Sequence, residues 1–105
     1  VSHVVALATV TDAGRFGSKA ARLGGLARAG FRVPKGIALA ANAVARLGQD
    51  DIDAAIRDAV QTLRPPFAVR SSGMAEDSGV ASFAGQFDTF LHVPLDGVIE
   101  SIRRC

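Results

Sequence analysis

The sequence predicts a small domain of mixed helix and strand, of the α/β or α+β class. Three observations carry this expectation. Short apolar runs rich in Val, Ala and Ile recur at Val4–Val10, Gly36–Leu39 and Phe67–Ser72, as strands require. Between them lie stretches with apolar residues at helical spacing, clearest from Ile52 to Leu63. Glycine and proline punctuate the boundaries at Gly30, Gly48 and Pro65-Pro66.

Taken in order, Val4 to Val10 reads as a strand and Thr11-Asp12-Ala13-Gly14 as a turn. Ser18 is placed to cap a helix running from Lys19 to Ala29, with Ala20, Leu23, Ala27 and Gly30 at helical spacing and Leu26 beside them. Gly24-Gly25 falls inside that helix. Each glycine there costs roughly 1 kcal/mol relative to alanine, so the pair predicts a second backbone packed very close. Gly30 ends the helix, and Val33 before Pro34 must be extended. Gly36 to Leu39 reads as a short strand, and Ala40 to Leu47 as a short helix closed by Gly48.

Asp50 or Asp51 is the expected cap of the best-marked helix, in which Ile52, Ala55, Ile56, Ala59, Val60 and Leu63 share one stripe. Acids crowd its first turn, where the helix dipole favours them, and Pro65-Pro66 stops it. Phe67 to Ser72 reads as a strand, and Gly73 to Ser82 is small and polar. From Phe83 to Val93 the pattern alternates, with Phe83, Phe87, Leu91 and Val93 set against Asp88 and His92, as in a strand or hairpin. Asp96 is then placed to cap a last helix carrying Val98, Ile99 and Ile102.

Composition narrows the function. The 105 residues are 49% hydrophobic, enough for one modest core. The net charge is +2 and the basic residues are scattered, apart from Arg103-Arg104, so no nucleic-acid footprint stands out. The opening apolar run is too short to span a membrane. The single cysteine, Cys105, can form neither an internal disulfide nor a zinc site, which makes the cytoplasm the expected location. The chain reads as one partial domain over residues 1–105.

Three places break local rules. Lys19 puts a cation in the first turn of a helix, against the macrodipole. An anion bound there would remove the conflict, because a helix N-terminus also offers N–H groups to phosphate. Taken alone, the commoner explanation is an exposed lysine. The spacing from Gly14 to Lys19 is not that of a Walker A loop. Arg70 interrupts the apolar strand Phe67–Ser72, followed by the hydroxyls of Ser71 and Ser72. Its fork-shaped guanidinium suits phosphate or carboxylate. A salt bridge to Glu76 or Asp77, or an edge strand with Arg70 in water, accounts for it equally. The third place is Gly79-Val80-Ala81-Ser82-Phe83-Ala84-Gly85-Gln86, whose small residues would let backbone N–H groups close on a phosphate chain. An ordinary hairpin loop has the same composition. The coincidence of all three features suggests a polyphosphate cradle.

These residues also carry a family resemblance. Gly17-Ser18-Lys19-Ala20-Ala21-Arg22-Leu23, then Ala29-Gly30-Phe31-Arg32-Val33-Pro34-Lys35-Gly36, resemble the opening of the phosphoenolpyruvate synthase and pyruvate phosphate dikinase family. Val69-Arg70-Ser71-Ser72, then Ala75-Glu76-Asp77, then Ala81-Ser82-Phe83-Ala84-Gly85-Gln86-Phe87-Asp88-Thr89, resemble its arginine strand and glycine-rich loop. Ser18 stands where the family usually has a second glycine, and Gly73-Met74 where Ala-Thr is commoner.

The resemblance implies the first lobe of an ATP-grasp-like nucleotide-binding domain, a mixed sheet with flanking helices. It implies ATP as ligand, with Lys19, Arg70 and Ser71 at the phosphates, Ala84, Gly85 and Gln86 covering them, and Thr89 against the nucleotide. Family enzymes pass a phosphoryl group from ATP through a phosphohistidine to pyruvate or another acceptor. Magnesium is expected only with a second lobe, since the sequence shows no acidic constellation for it. Neither His3 nor His92 lies in a phosphohistidine motif. The chain by itself is therefore expected to hold no catalytic residue and to need the rest of its parent enzyme or a separate catalytic chain. Its open face is expected to self-associate. The alternative is a stand-alone nucleotide-binding or regulatory module without catalytic activity.

Overall fold

The computed structural model describes residues 3–71 and 89–105. Among the described residues, strand β1 (Val4–Ala6) pairs antiparallel with β2 (Ile37–Leu39), matching Val4 with Leu39, Val5 with Ala38 and Ala6 with Ile37. Residues alternate faces along a strand, and this ribbon is apolar on both. Val5 and Ala38 face one core, with Val10, Phe16, Ala20 and Ala40. Val4, Ile37 and Leu39 face the other, built on Ala43, Ile52, Ile56, Val60, Val93 and Val98. The ribbon thus separates two apolar clusters, one on each side.

The first cluster holds helices α1 (Ala13–Phe16) and α2 (Ser18–Arg28). The strand expected over Val4–Val10 stops at Ala6. Leu7 donates its N–H to Gly36 O at 2.8 Å, and Leu7–Thr9 turns into a 3-10 helix whose Thr9 hydroxyl donates to Ala6 O at 2.7 Å. The expected turn at Thr11–Gly14 is the start of α1, because Asp12 accepts from Gly14 N at 2.9 Å and Arg15 N at 3.3 Å. Ser18 is not the cap of α2. Gly17 is, at φ 88 and ψ 157, a conformation open essentially to glycine alone.

The close backbone approach predicted from Gly24-Gly25 exists at Gly24 only. A Cβ there would lie 2.5 Å from Val10 O and 2.8 Å from Leu7 O, whereas one at Gly25 would meet only Arg28 Nη2 at 3.9 Å. The buried stripe of α2 is accordingly Ala20 and Gly24. Arg28 secures the same contact by donating from Nη1 to Ala8 O at 2.9 Å and Val10 O at 2.7 Å. The helix ends as expected at Gly30, with φ 95. Gly30 N donates to Ala27 O and Phe31 N to Leu26 O, a Schellman closure.

The second cluster begins with α3 (Ala41–Ala45) and α4 (Asp50–Val60). The stripe predicted for α4 is present, with Ile52, Ile56 and Val60 buried. Ala55 is exposed, because the buried face is narrower than the apolar one. Gln49 occupies the cap position rather than Asp50 or Asp51. Asp53 instead reaches back, accepting from Gly48 N at 3.0 Å.

Strand β3 (Phe67–Arg70) pairs antiparallel with β4 (Thr89–Val93), and α5 (Val98–Arg104) packs on them. Asp96 lies inside a 3-10 turn, Leu95–Gly97, and makes no capping bond to α5. The mixed helix–strand class therefore holds. The expected mixed sheet takes the form of two separate two-stranded antiparallel sheets among the described residues.

Candidate functional site

Lys19 is the second residue of α2, half-buried, two positions after the Gly17 kink. Gly17 has no side chain to cap the helix, and the first turn contains no acid. The first N–H groups of a helix lack intrahelical partners by geometry. Lys19 itself forms no ion pair among the described residues. Lys19 therefore stands at a helix start whose own first turn supplies no side-chain anion, and Ala20 in that turn is not without a partner.

Arg70 is the last residue of β3 and is exposed; it is not without partners. It stands opposite Thr89, the first residue of β4 and also exposed. Ser71 follows directly, half-buried. The ladder thus brings Arg70, Ser71 and Thr89 together at one end of the β3–β4 ribbon. A cation and hydroxyl groups suit phosphate oxygens. Lys19 stands on α2, whose Ala20 packs in the first cluster, whereas β3 and β4 pack against the second. Ala84, Gly85 and Gln86 lie outside the described residues.

The ladder has an irregularity that the alternation in the sequence hides. Phe67 pairs with Val93 and Val69 with Phe90. One residue of β3, Ala68, therefore faces two of β4, Leu91 and His92. This is a β-bulge, and His92 sits in it at φ 57. Alternation places Leu91 on the apolar side with Val93. Instead Phe90 and Val69 point toward the core, and Leu91 is 65% exposed. The one sequence signal for this is Phe90-Leu91 side by side, which strict alternation cannot place on one face.

A hollow of about 500 Å³ lies between α4 and α5, lined by Ile56, Arg57, Val60, Gln61, Leu95, Asp96, Val98 and Ile99. It includes none of Lys19, Arg70, Ser71 or Thr89. His3, just before β1, buries its Nδ1 with no hydrogen-bond partner among the described residues. No group of three or more His, Cys, Asp or Glu among the described residues could hold a metal ion. Among the described residues, no helix is long and apolar enough to cross a membrane.

Comparison with known proteins identifies a family. The family described as "Pyruvate phosphate dikinase, AMP/ATP-binding domain" matches residues 48–105, more than half of the chain. The match contains Arg70, Ser71, Ala84, Gly85, Gln86 and Thr89, and stops short of Lys19. The chain is 46% identical over 57 residues to the prodigiosin synthesizing transferase PigC of Serratia marcescens, covering 51% of this chain and 6% of that protein. It is 44% identical over 61 residues to the phosphoenolpyruvate synthase of Escherichia coli (strain K12), covering 52% and 8%. It is 42% identical over 59 residues to a rifampicin phosphotransferase of Streptomyces sp, covering 53% and 7%. The chain thus spans less than a tenth of the length of these relatives. No solved structure matches it.

Proposed function

The chain belongs to the pyruvate phosphate dikinase AMP/ATP-binding domain family, and from that premise we propose that it forms the phosphate-holding part of an ATP site in a phosphoenolpyruvate synthase-like phosphotransferase. The observation that carries this reading is the end of the β3–β4 ribbon, where Arg70 and Thr89 are cross-strand partners inside the matched region. Arg70 and Ser71 bind phosphate oxygens, Thr89 lies against the nucleotide, and Ala84, Gly85 and Gln86 cover the phosphates. Lys19 is assigned the second positive charge on that phosphate tail by the family resemblance alone, since α2 packs in the other cluster from β3 and β4.

Phosphoryl transfer asks little covalent chemistry of the protein; it needs alignment and positive charge on the phosphate oxygens. In this reading the chain supplies both. Magnesium, the phosphorylated histidine and the acceptor site belong to other parts of an enzyme on the scale of its relatives. The fold is that of the first lobe of an ATP-grasp-like domain, working in the cytoplasm where ATP is available.

Half of a cleft leaves ATP wet, so the affinity is expected to be weaker than about 1 µM. Calorimetric titration of the 105-residue chain with ATP tests the reading. Arg70→Ala and Lys19→Ala are each expected to weaken binding about 10-fold, the scale of one charge-assisted contact. If both cations meet one triphosphate, the double variant deviates from the product of the two effects. Binding unchanged by both substitutions refutes the assignment.

A further inference from the structure

The outer face of the β3–β4 ribbon carries a residue that a phosphate cradle leaves unexplained. Ala68 and Arg70 of β3 are exposed, as are Thr89, Leu91 and His92 of β4. The inner face is already filled: Phe67, Val69, Phe90 and Val93 pack into the core, and Arg104 lies over the Phe90 ring at 5.7 Å. The bulge is what lets Leu91 face outward while Val93 still turns into the core. Because Leu91 and His92 share the place of one residue opposite Ala68, the inward residues of β4 become Phe90 and Val93, three positions apart. A regular strand would not expose Leu91 and bury both of these.

Leu91 therefore stands two residues along the strand from Thr89, about 7 Å away, on the same face as the Arg70–Thr89 pair. Across from it is Ala68, whose methyl group leaves space above the sheet. The face offers a cation and a hydroxyl at one end and a bare leucine over a small residue at the other. A nucleotide has the same division, an anionic tail joined to a flat, weakly polar base.

Resting on the ATP reading above, we propose that Leu91 is a nucleoside-contacting residue, packing against the nonphosphate part of the adenine nucleotide whose phosphates Arg70 holds. Ala68 sets the clearance for it. The β-bulge at Leu91–His92 is the device that presents the contact.

The test separates the two ends of the ligand. The full chain, labelled for NMR, is titrated in parallel with ATP and with inorganic tripolyphosphate, as wild type, Leu91→Ala and Arg70→Ala. The Leu91 methyl signals move with ATP and stay still with tripolyphosphate. Leu91→Ala raises the apparent Kd for ATP about 5-fold, the effect of losing partly buried methyl groups, and leaves tripolyphosphate unchanged. Leu91→Met, apolar and of similar size, restores ATP binding. Arg70→Ala weakens both ligands. If Leu91→Ala leaves ATP affinity unaltered while Arg70→Ala weakens both, the Leu91 contact is wrong and the phosphate site stands. The Leu91 contact is equally wrong if Leu91→Ala alters sedimentation of the chain and not ATP binding. If Arg70→Ala affects neither ligand, or neither ligand binds, the ATP reading itself fails and the Leu91 contact falls with it.

Discussion

Replacing Gly24 by alanine should destabilise this protein, while the same change at its neighbour Gly25 should stabilise it. In both cases alanine gains roughly 1 kcal/mol of helix propensity over glycine. The difference lies in what the added methyl meets. At Gly25 the nearest atom is the far end of the Arg28 side chain, 3.9 Å away. At Gly24 the methyl would lie 2.5 Å from Val10 O and 2.8 Å from Leu7 O, both backbone atoms. A carbon and a carbonyl oxygen are comfortable at about 3.3 Å, so α2 must back away from the 3-10 turn by roughly 0.8 Å. That movement stretches the two hydrogen bonds from Arg28 Nη1, now 2.9 and 2.7 Å, to Ala8 O and Val10 O. Hydrogen bonds to a charged group contribute about 1.5–3 kcal/mol each. Losing both, less the gain in propensity, sets an upper range of about 2–5 kcal/mol for the net loss in Gly24→Ala, against a gain of about 1 kcal/mol for Gly25→Ala. A domain of this size has only about 5–15 kcal/mol in total, so the loss is large. Urea unfolding followed by far-UV circular dichroism measures it, since the chain has no Trp or Tyr for fluorescence. Midpoints that move in the same direction for both variants would refute the argument that carbonyl contact decides the sign.

Two further substitutions probe the second cluster. His92 sits at φ 57, where a side chain costs about 1–2 kcal/mol that glycine avoids; His92→Gly is expected to raise the urea midpoint, and an unchanged or lower midpoint counts against strain at the bulge. Ile56 is fully buried at the centre of its cluster, so Ile56→Ala should lower stability by about 2–5 kcal/mol; a loss below about 1 kcal/mol would mean that the site collapses around the smaller side chain.

The candidate site residues stand out in the sequence because local rules are broken there. An arginine inside Phe67–Ser72 and a lysine opening a helix are conflicts visible from adjacent residues alone. The cross-strand pairing of Arg70 with Thr89 is not, because it depends on the register of two strands. Alternation misplaces Leu91 for the same reason. A pattern read from one strand assumes a regular partner, and the bulge opposite Ala68 removes that assumption. Residue type sets the cap of α2 one position late, since Ser18 is a good cap by composition, while the chain reversal after α1 demands the φ 88 that Gly17 supplies.

The linear pattern by itself established the helix–strand class, the buried stripe of α4, the glycine closure of α2 and the family likeness. All of these depend on residues a few positions apart, where helix period, strand period and backbone sterics act. Packing decided which of two adjacent glycines faces a carbonyl, that β1 and β2 form a ribbon with a core on either side, and which side of β4 meets solvent. Those outcomes rest on contacts between segments more than ten residues apart. Their geometry follows from how whole elements fill space together, and no local periodicity encodes it.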